Sequence, residues 1–171
     1  RGSVVGDLLV DDPRIACVNF TGSTDAGLSI AATAAKHLTD YKFELGGNDP
    51  FIVFEDADMD LVVKEAEDQA RNNRQCCTGS KRFLVHNSLK EEFIRRLGAE
   101  LDKLVIGDPM DPAVNMGPMI AERAAKQVEK QVELTVAQGA RIVRGGKRSG
   151  AFYEPTILAD VTPDMDIARD M

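Results

Sequence analysis

Short apolar runs alternate with stretches of helical periodicity along this chain, and that alternation restricts it to an α/β architecture. Residues 15–20 (IACVNF) read as a short buried strand, with Ser23 or Thr24 placed to cap a helix after it. Gly27, Ile30, Ala31, Ala34, Ala35 and Leu38 then recur at helical spacing. Residues 42–45 return to a strand that runs into Gly46-Gly47.

The pattern continues downstream. Residues 51–54 (FIVF) form a second apolar run, and Asp58 is placed to cap a helix from Met59 to about Asn72. Residues 82–86 read as a strand. Leu89, Phe93, Leu97, Leu101 and Leu104 form one face of a helix that begins near Ser88, with Glu91 in capping-box position. A further helix spans about Ala121 to Gln138, with Ala125, Val128, Val132 and Thr135 or Val136 inward and Gly139 as its stop. Residues 141–144 are a short strand, and the remainder is loop with one strand around Thr156 to Leu158. Strand, glycine-bearing turn and helix in that order, as residues 15–38 present them, make up half of a dinucleotide-binding fold.

Composition narrows the function. With 171 residues, 43% hydrophobic and 29% charged, the chain is long enough for a buried core. A net charge of −7 argues against a nucleic-acid partner, which needs clustered Lys and Arg. No apolar run approaches the ~18 residues of a membrane span, so the expected location is the cytoplasm. Three cysteines, two of them adjacent, do not make a disulfide framework, and His37 and His86 stand too far apart in sequence to suggest a metal site. The acidic stretch 65–68 reads as a solvated helix face. Arg1 opens the chain without an initiator Met and Met171 closes it without a cap, so the sequence reads as an excerpt.

Three segments carry chemistry. Phe20-Thr21-Gly22-Ser23-Thr24-Asp25-Ala26-Gly27 puts a small residue and a hydroxyl at a helix N-terminus, where free N–H groups favour phosphate. A strand-to-helix turn with a simple Ser cap fits the same residues. Phe43-Glu44-Leu45-Gly46-Gly47 offers a carboxylate that must either reach solvent or be held protonated, beside glycines that let the backbone approach a ligand. Gln75-Cys76-Cys77-Thr78-Gly79-Ser80-Lys81-Arg82 offers a thiol in polar surroundings, where Lys81 and Arg82 favour thiolate if they point towards it, the alternative being that a strand start sends them elsewhere. Cys17 sits in a strand and reads as core. A thiolate that adds to a carbonyl, and a carboxylate that activates water to release the acyl group, are the parts of thiol-based covalent catalysis.

In this order the three segments resemble the aldehyde dehydrogenase superfamily, over about residues 13–171. Phe-Thr-Gly-Ser-x-x-x-Gly is similar to its cofactor motif. Gln-x-Cys with Lys-Arg following is similar to its nucleophile loop and selects Cys77 over Cys76. The resemblance implies NAD or NADP as cofactor, contacted by Gly22, Ser23 and Leu45. It implies Cys77 as nucleophile and Glu44 as general base. Residues 1–47 would be the C-terminal part of a Rossmann-type cofactor domain and 48–171 the N-terminal part of an α/β catalytic domain. Asn48-Asp49-Pro50-Phe51 and Ser80-Lys81-Arg82-Phe83 are most similar to bacterial succinate-semialdehyde dehydrogenases, which implies a small aldehyde substrate and a homo-oligomeric full-length protein.

Two departures stand out. Arg74 occupies the position before the Gln where the family usually has Gly, and Glu44 and Cys77 are 33 residues apart, one fewer than the family pattern. A cofactor-independent thiol esterase, and a remnant that folds or associates without catalysing, are the alternative readings.

Overall fold

A computed structural model describes residues 2–169; Arg1, Asp170 and Met171 lie outside the described residues. The chain divides into two compact units, Arg1–Gly47 and Asn48–Met171. Both contain a strand–helix–strand unit with parallel strands, as expected for α/β.

In the first unit, helix α1 (Gly2–Val10) precedes strand β1 (Cys17–Thr21), helix α2 (Thr24–Ala34), a 3-10 turn (Ala35–His37) and strand β2 (Asp40–Glu44). β1 and β2 are paired from Cys17 opposite Asp40 to Thr21 opposite Glu44. Ser23 caps α2 with its hydroxyl, and the helix buries Gly27 and Ala34. Leu38, read as the last residue of the helical face, instead takes a left-handed conformation (φ 54°) and stands 90% exposed. It ends the helix, and the Thr39 amide donates back to the Ala34 carbonyl at 3.1 Å. Cys17 lies in β1 as expected but is exposed rather than core, because alternate residues of this strand face outward. α1 had no signal in the sequence; Asp11, just beyond it, accepts from Lys36 at 3.4 Å and lies 3.2 Å from His37 Nε2.

In the second unit, strands β3 (Pro50–Val53) and β4 (Arg82–Val85) are parallel and flank helix α3 (Met59–Asp68). The Asp58 carboxylate accepts from the Asp60 and Leu61 amides, as its capping position implies. Helix α4 (Lys90–Leu101) packs on α3 through one core that joins Val63, Ala66 and Ala70 to Phe93, Leu97 and Leu101. The Phe83 ring reaches into it at 5.4 Å from Phe93 and 5.2 Å from Phe51.

Two expectations fail here for side-chain reasons. Ser88 does not cap α4: it hydrogen-bonds His86 Nδ1 at 2.8 Å, and Leu89 occupies the cap position without a side-chain bond. Residues 65–68 are not a fully solvated face either. Ala66 and Glu67 are buried, and Glu67 is held by Arg71 at 3.0 Å.

Helix α5 (Glu122–Ala137) buries Ala125, Val132 and Thr135, the Thr135 hydroxyl being satisfied by the Gln131 carbonyl at 2.7 Å. Gly139 (φ 114°) stops it. Strand β5 (Arg141–Arg144) pairs antiparallel with β8 (Ile157–Ala159). A small hairpin, β6 (Arg148–Ser149) and β7 (Phe152–Tyr153), and helix α6 (Asp166–Arg169) lie in a stretch read as mostly loop. No helix among the described residues is long and apolar enough to cross a membrane.

Candidate active site

The first unit gathers the glycine-turn residues at the carboxyl ends of its two parallel strands, where α/β proteins place ligands. The Gly22 amide donates to the Glu44 carbonyl at 3.0 Å, which ties the two strand ends together. That amide is therefore engaged by the fold. Gly22 contributes by lacking a side chain, because a Cβ there would stand 2.4 Å from the Phe20 ring. Ser23 is extended (φ −73°, ψ 153°) and its hydroxyl accepts from the Ala26 amide at 3.3 Å, leaving its own proton to donate outward. Thr24 and Asp25 follow in the first turn, where amides have no partner within the helix. Leu45 packs over Gly27 beside this turn. Glu44, the last residue of β2, is exposed, so of the two states open to its carboxylate it takes solvent rather than burial. Gly22, Ser23, Glu44 and Leu45 thus converge on one end of β1 and β2.

Cys77 belongs to the second unit, on the connection from α3 to β4. Cys17, Cys76 and Cys77 are all free and exposed. The connection is held from several sides. The Asn73 side-chain amide donates to the Gly117 carbonyl at 3.0 Å, and the Ile120 amide donates to Gln75 Oε1 at 2.9 Å. The Gly79 amide donates to the Cys76 carbonyl at 3.1 Å. Arg74 donates to the carbonyls of Ala66 and Ser80. Asn73 and Arg74 both have positive φ (56° and 53°), a conformation favoured by Gly and tolerated by Asn.

For Arg82 the second of the two possibilities holds: its Nε donates to the Asn48 carbonyl at 2.8 Å where β4 begins beside β3. Cys76, not selected by the motif, has its thiol held below the ordinary value by a hydrogen bond from Thr78, whose hydroxyl oxygen lies 3.3 Å from the sulfur. Burial pushes the Arg74 guanidinium down to about 10, so it remains charged at neutral pH. Among the described residues there is no group of His, Cys, Asp and Glu side chains able to hold a metal ion.

Sequence reading passed over Asn73 and took Gln75 only as part of the nucleophile-loop motif; nothing in their spacing announces anchoring partners more than forty positions away. Arg74 did give a signal, as a side chain at a position where the family has Gly.

The first unit thus presents a capped turn at the ends of parallel strands, and the second an exposed thiol on a helix-to-strand loop. Residues 1–170 match the aldehyde dehydrogenase family, and the chain belongs to that family. The succinate-semialdehyde dehydrogenase [NADP(+)] of Deinococcus radiodurans is 43% identical over 161 residues, covering 92% of this chain and 34% of that protein. Betaine aldehyde dehydrogenase of Staphylococcus aureus, solved in complex with NAD+, superposes with a TM-score of 0.95 at 34% identity, over 100% of this chain and 36% of that one. Succinate-semialdehyde dehydrogenase of Burkholderia pseudomallei gives 0.94 at 37%, over 99% and 36%. The chain spans about a third of the length of the curated relatives it matches.

Proposed function

We propose that this chain carries the thiol, the general base and part of the cofactor site of an NAD(P)-dependent aldehyde dehydrogenase acting on succinate semialdehyde. In this reading the first unit is the C-terminal part of the cofactor domain and the second the N-terminal part of the catalytic domain. The observation that carries it is the convergence of Gly22, Ser23 and Leu45 at the carboxyl ends of β1 and β2. A hydroxyl free to donate and an open first helical turn suit a phosphate there. Relatives named for NADP(+) and solved with NAD+ support either cofactor. Their names support the substrate.

The chemistry follows from the residues. The Cys77 thiolate adds to the aldehyde carbon, and the Cys77 backbone N–H is a donor for the oxygen that becomes negative. NAD(P), when bound, supplies the two-electron oxidation that leaves a thioester. Ser23 would hold the cofactor's phosphate, and Leu45 would lie against its ring. Glu44 takes a proton from the water that attacks the thioester, releasing the acid and restoring the thiol. The resemblance also carries a homo-oligomeric, cytoplasmic protein.

The test is steady-state NAD(P)H production by the intact protein with succinate semialdehyde, against Cys77→Ala and Cys76→Ala. Activity lost in the first variant and kept in the second supports the assignment. Activity that survives Cys77→Ala overturns it, and thiol-dependent ester hydrolysis without NAD(P)H formation would point to an esterase.

A further inference from the structure

We infer that Arg74 is a positioning residue for the thiol loop: its guanidinium ties the carboxyl end of α3 to the exit of the loop and thereby holds Cys77 in place. This rests on the reading of Cys77 as nucleophile and adds to it a residue that touches neither substrate nor cofactor.

The backbone poses the question. At φ 53° an L side chain crowds its own carbonyl, and Asn73 before it is left-handed as well. Glycine would adopt this turn without strain. A residue kept there against its backbone preference must gain something through its side chain.

The side chain makes three contacts, each to a fixed part of the second unit. One guanidinium nitrogen donates to the Ala66 carbonyl at 3.2 Å. That carbonyl is exposed to capture because the Ala70 amide turns to the Glu67 carbonyl at 2.8 Å, tightening the end of α3. A helix carboxyl end also favours a cation. A second nitrogen donates to the Ser80 carbonyl, the last position before the strand connection. The guanidinium carbon lies 4.9 Å from the centroid of Phe83, whose ring is itself packed on Phe93 in the core.

Cys76 and Cys77 lie between Arg74 and Ser80, so the bond to Ser80 closes the thiol segment into a short loop. Its winding is tight: a Cβ on Gly79 would stand 3.1 Å from the Cys76 carbonyl oxygen and 3.3 Å from that of Arg74. The planar fork of Arg spans two carbonyls at once, which an ammonium cannot do with the same geometry. Its partners are two neutral carbonyls and an aromatic face, so its charge stays in the loop that carries the thiol.

The experiment uses Arg74→Gly, which relieves the backbone and removes the clamp, and Arg74→Lys, which keeps the charge and loses the fork. Hydrogen exchange is followed at the Gly79 amide, inside the loop, and at the His86 amide, which donates to the Val53 carbonyl across β3 and β4. The rate of Cys77 alkylation by iodoacetamide is measured at one neutral pH on the same proteins. Expected are exchange at Gly79 at least tenfold faster in Arg74→Gly and in Arg74→Lys with His86 unchanged, and a Cys77 alkylation rate altered severalfold in both variants. Unchanged exchange at Gly79, equal acceleration at His86, or a Cys77 alkylation rate identical in both variants and the parent would each overturn the inference. Preferential alkylation of Cys76 in the unmodified protein would remove the nucleophile assignment instead, while leaving the exchange result to judge the clamp.

Discussion

Leu45 lies directly over Gly27: a Cβ built on that glycine would stand 2.8 Å from Leu45 Cδ2 and 3.1 Å from Cδ1. The start of α2 and the residue following β2 are thus in contact because one of them has no side chain. Leu45 can yield by rotating, so Gly27→Ala should leave stability within about 1 kcal/mol, the helical preference of Ala offsetting the crowding. The displaced Leu45 should instead raise the KM for NAD(P) several-fold with a smaller effect on kcat. Chemical denaturation and initial rates with varied cofactor check both parts; an unchanged KM would remove Leu45 from the proposed cofactor site.

Glu44→Gln keeps size and hydrogen-bonding capacity but cannot take a proton from water. With the proposed base removed, the first turnover should persist as a burst while the steady-state rate falls by about 10²–10⁴-fold. Rapid mixing with aldehyde and NAD(P) reads both phases. Loss of the burst itself would mean that Glu44 serves the thiol's addition rather than thioester hydrolysis.

Two glycines with positive φ should respond differently to the same change. At Gly145 (φ 76°) a Cβ would stand 2.4 Å from the Pro155 carbonyl oxygen, a backbone atom held also by Arg144. At Gly150 (φ 59°) no atom lies within 4 Å. Gly150→Ala should cost about 1 kcal/mol, the conformational term alone, and Gly145→Ala at least about twice that, since strand pairing between β5 and β8 must shift. Urea midpoints for the two variants give the comparison.

Asp160 joins two elements: it accepts from Lys90 at 2.7 Å, at the start of α4, and from Arg141 at 3.4 Å, at the start of β5. The Lys90 hydrogen bond, with the charges of Lys90 and Arg141, holds its carboxyl below the ordinary 3.8. A carboxyl lowered in the folded state stabilises above its unfolded value, and that contribution is lost as pH falls through the lowered one. Asp160→Asn should therefore lower the urea midpoint near neutral pH, with the deficit disappearing only as pH is taken well below 3.8. Asn is suited to the left-handed backbone at this position (φ 63°), which isolates the charge. A deficit that persists unchanged into acid would assign the effect to packing.

Elements whose identity rests on periodicity were legible in the sequence. The alternation of Phe93, Leu97 and Leu101, the Asp58 cap and the Gly139 stop all appear where the residues place them. What escaped was set by competition between side chains. Ser88 has a cap's chemistry, but the neighbouring His86 ring takes its hydroxyl. Glu67 is written among exposed acids, yet Arg71 one turn on allows it to be buried. In the candidate site, the Ser23 cap and the meeting of Gly22 and Leu45 at the carboxyl ends of β1 and β2 were legible because they are local to one strand–helix–strand unit. The supports of the thiol loop were not, since Asn73 and Gln75 reach backbone groups around Gly117 and Ile120 that no local pattern connects to them.

The bond from Arg74 to the Ala66 carbonyl makes the segment between them a gauge of length. A carbonyl keeps its place whatever side chain residue 66 bears, so exchanging side chains there changes the core but not the anchor. Adding or removing one residue is different: within α3 it turns every later residue by about 100° and moves it by about 1.5 Å, and in the turn beyond Asp68 it changes the span the side chain must bridge. The guanidinium would then meet another carbonyl or none. The turn after α3 should accordingly accept substitutions far more readily than insertions or deletions, and descendants of this sequence that alter its length would have to give up Arg74 as well.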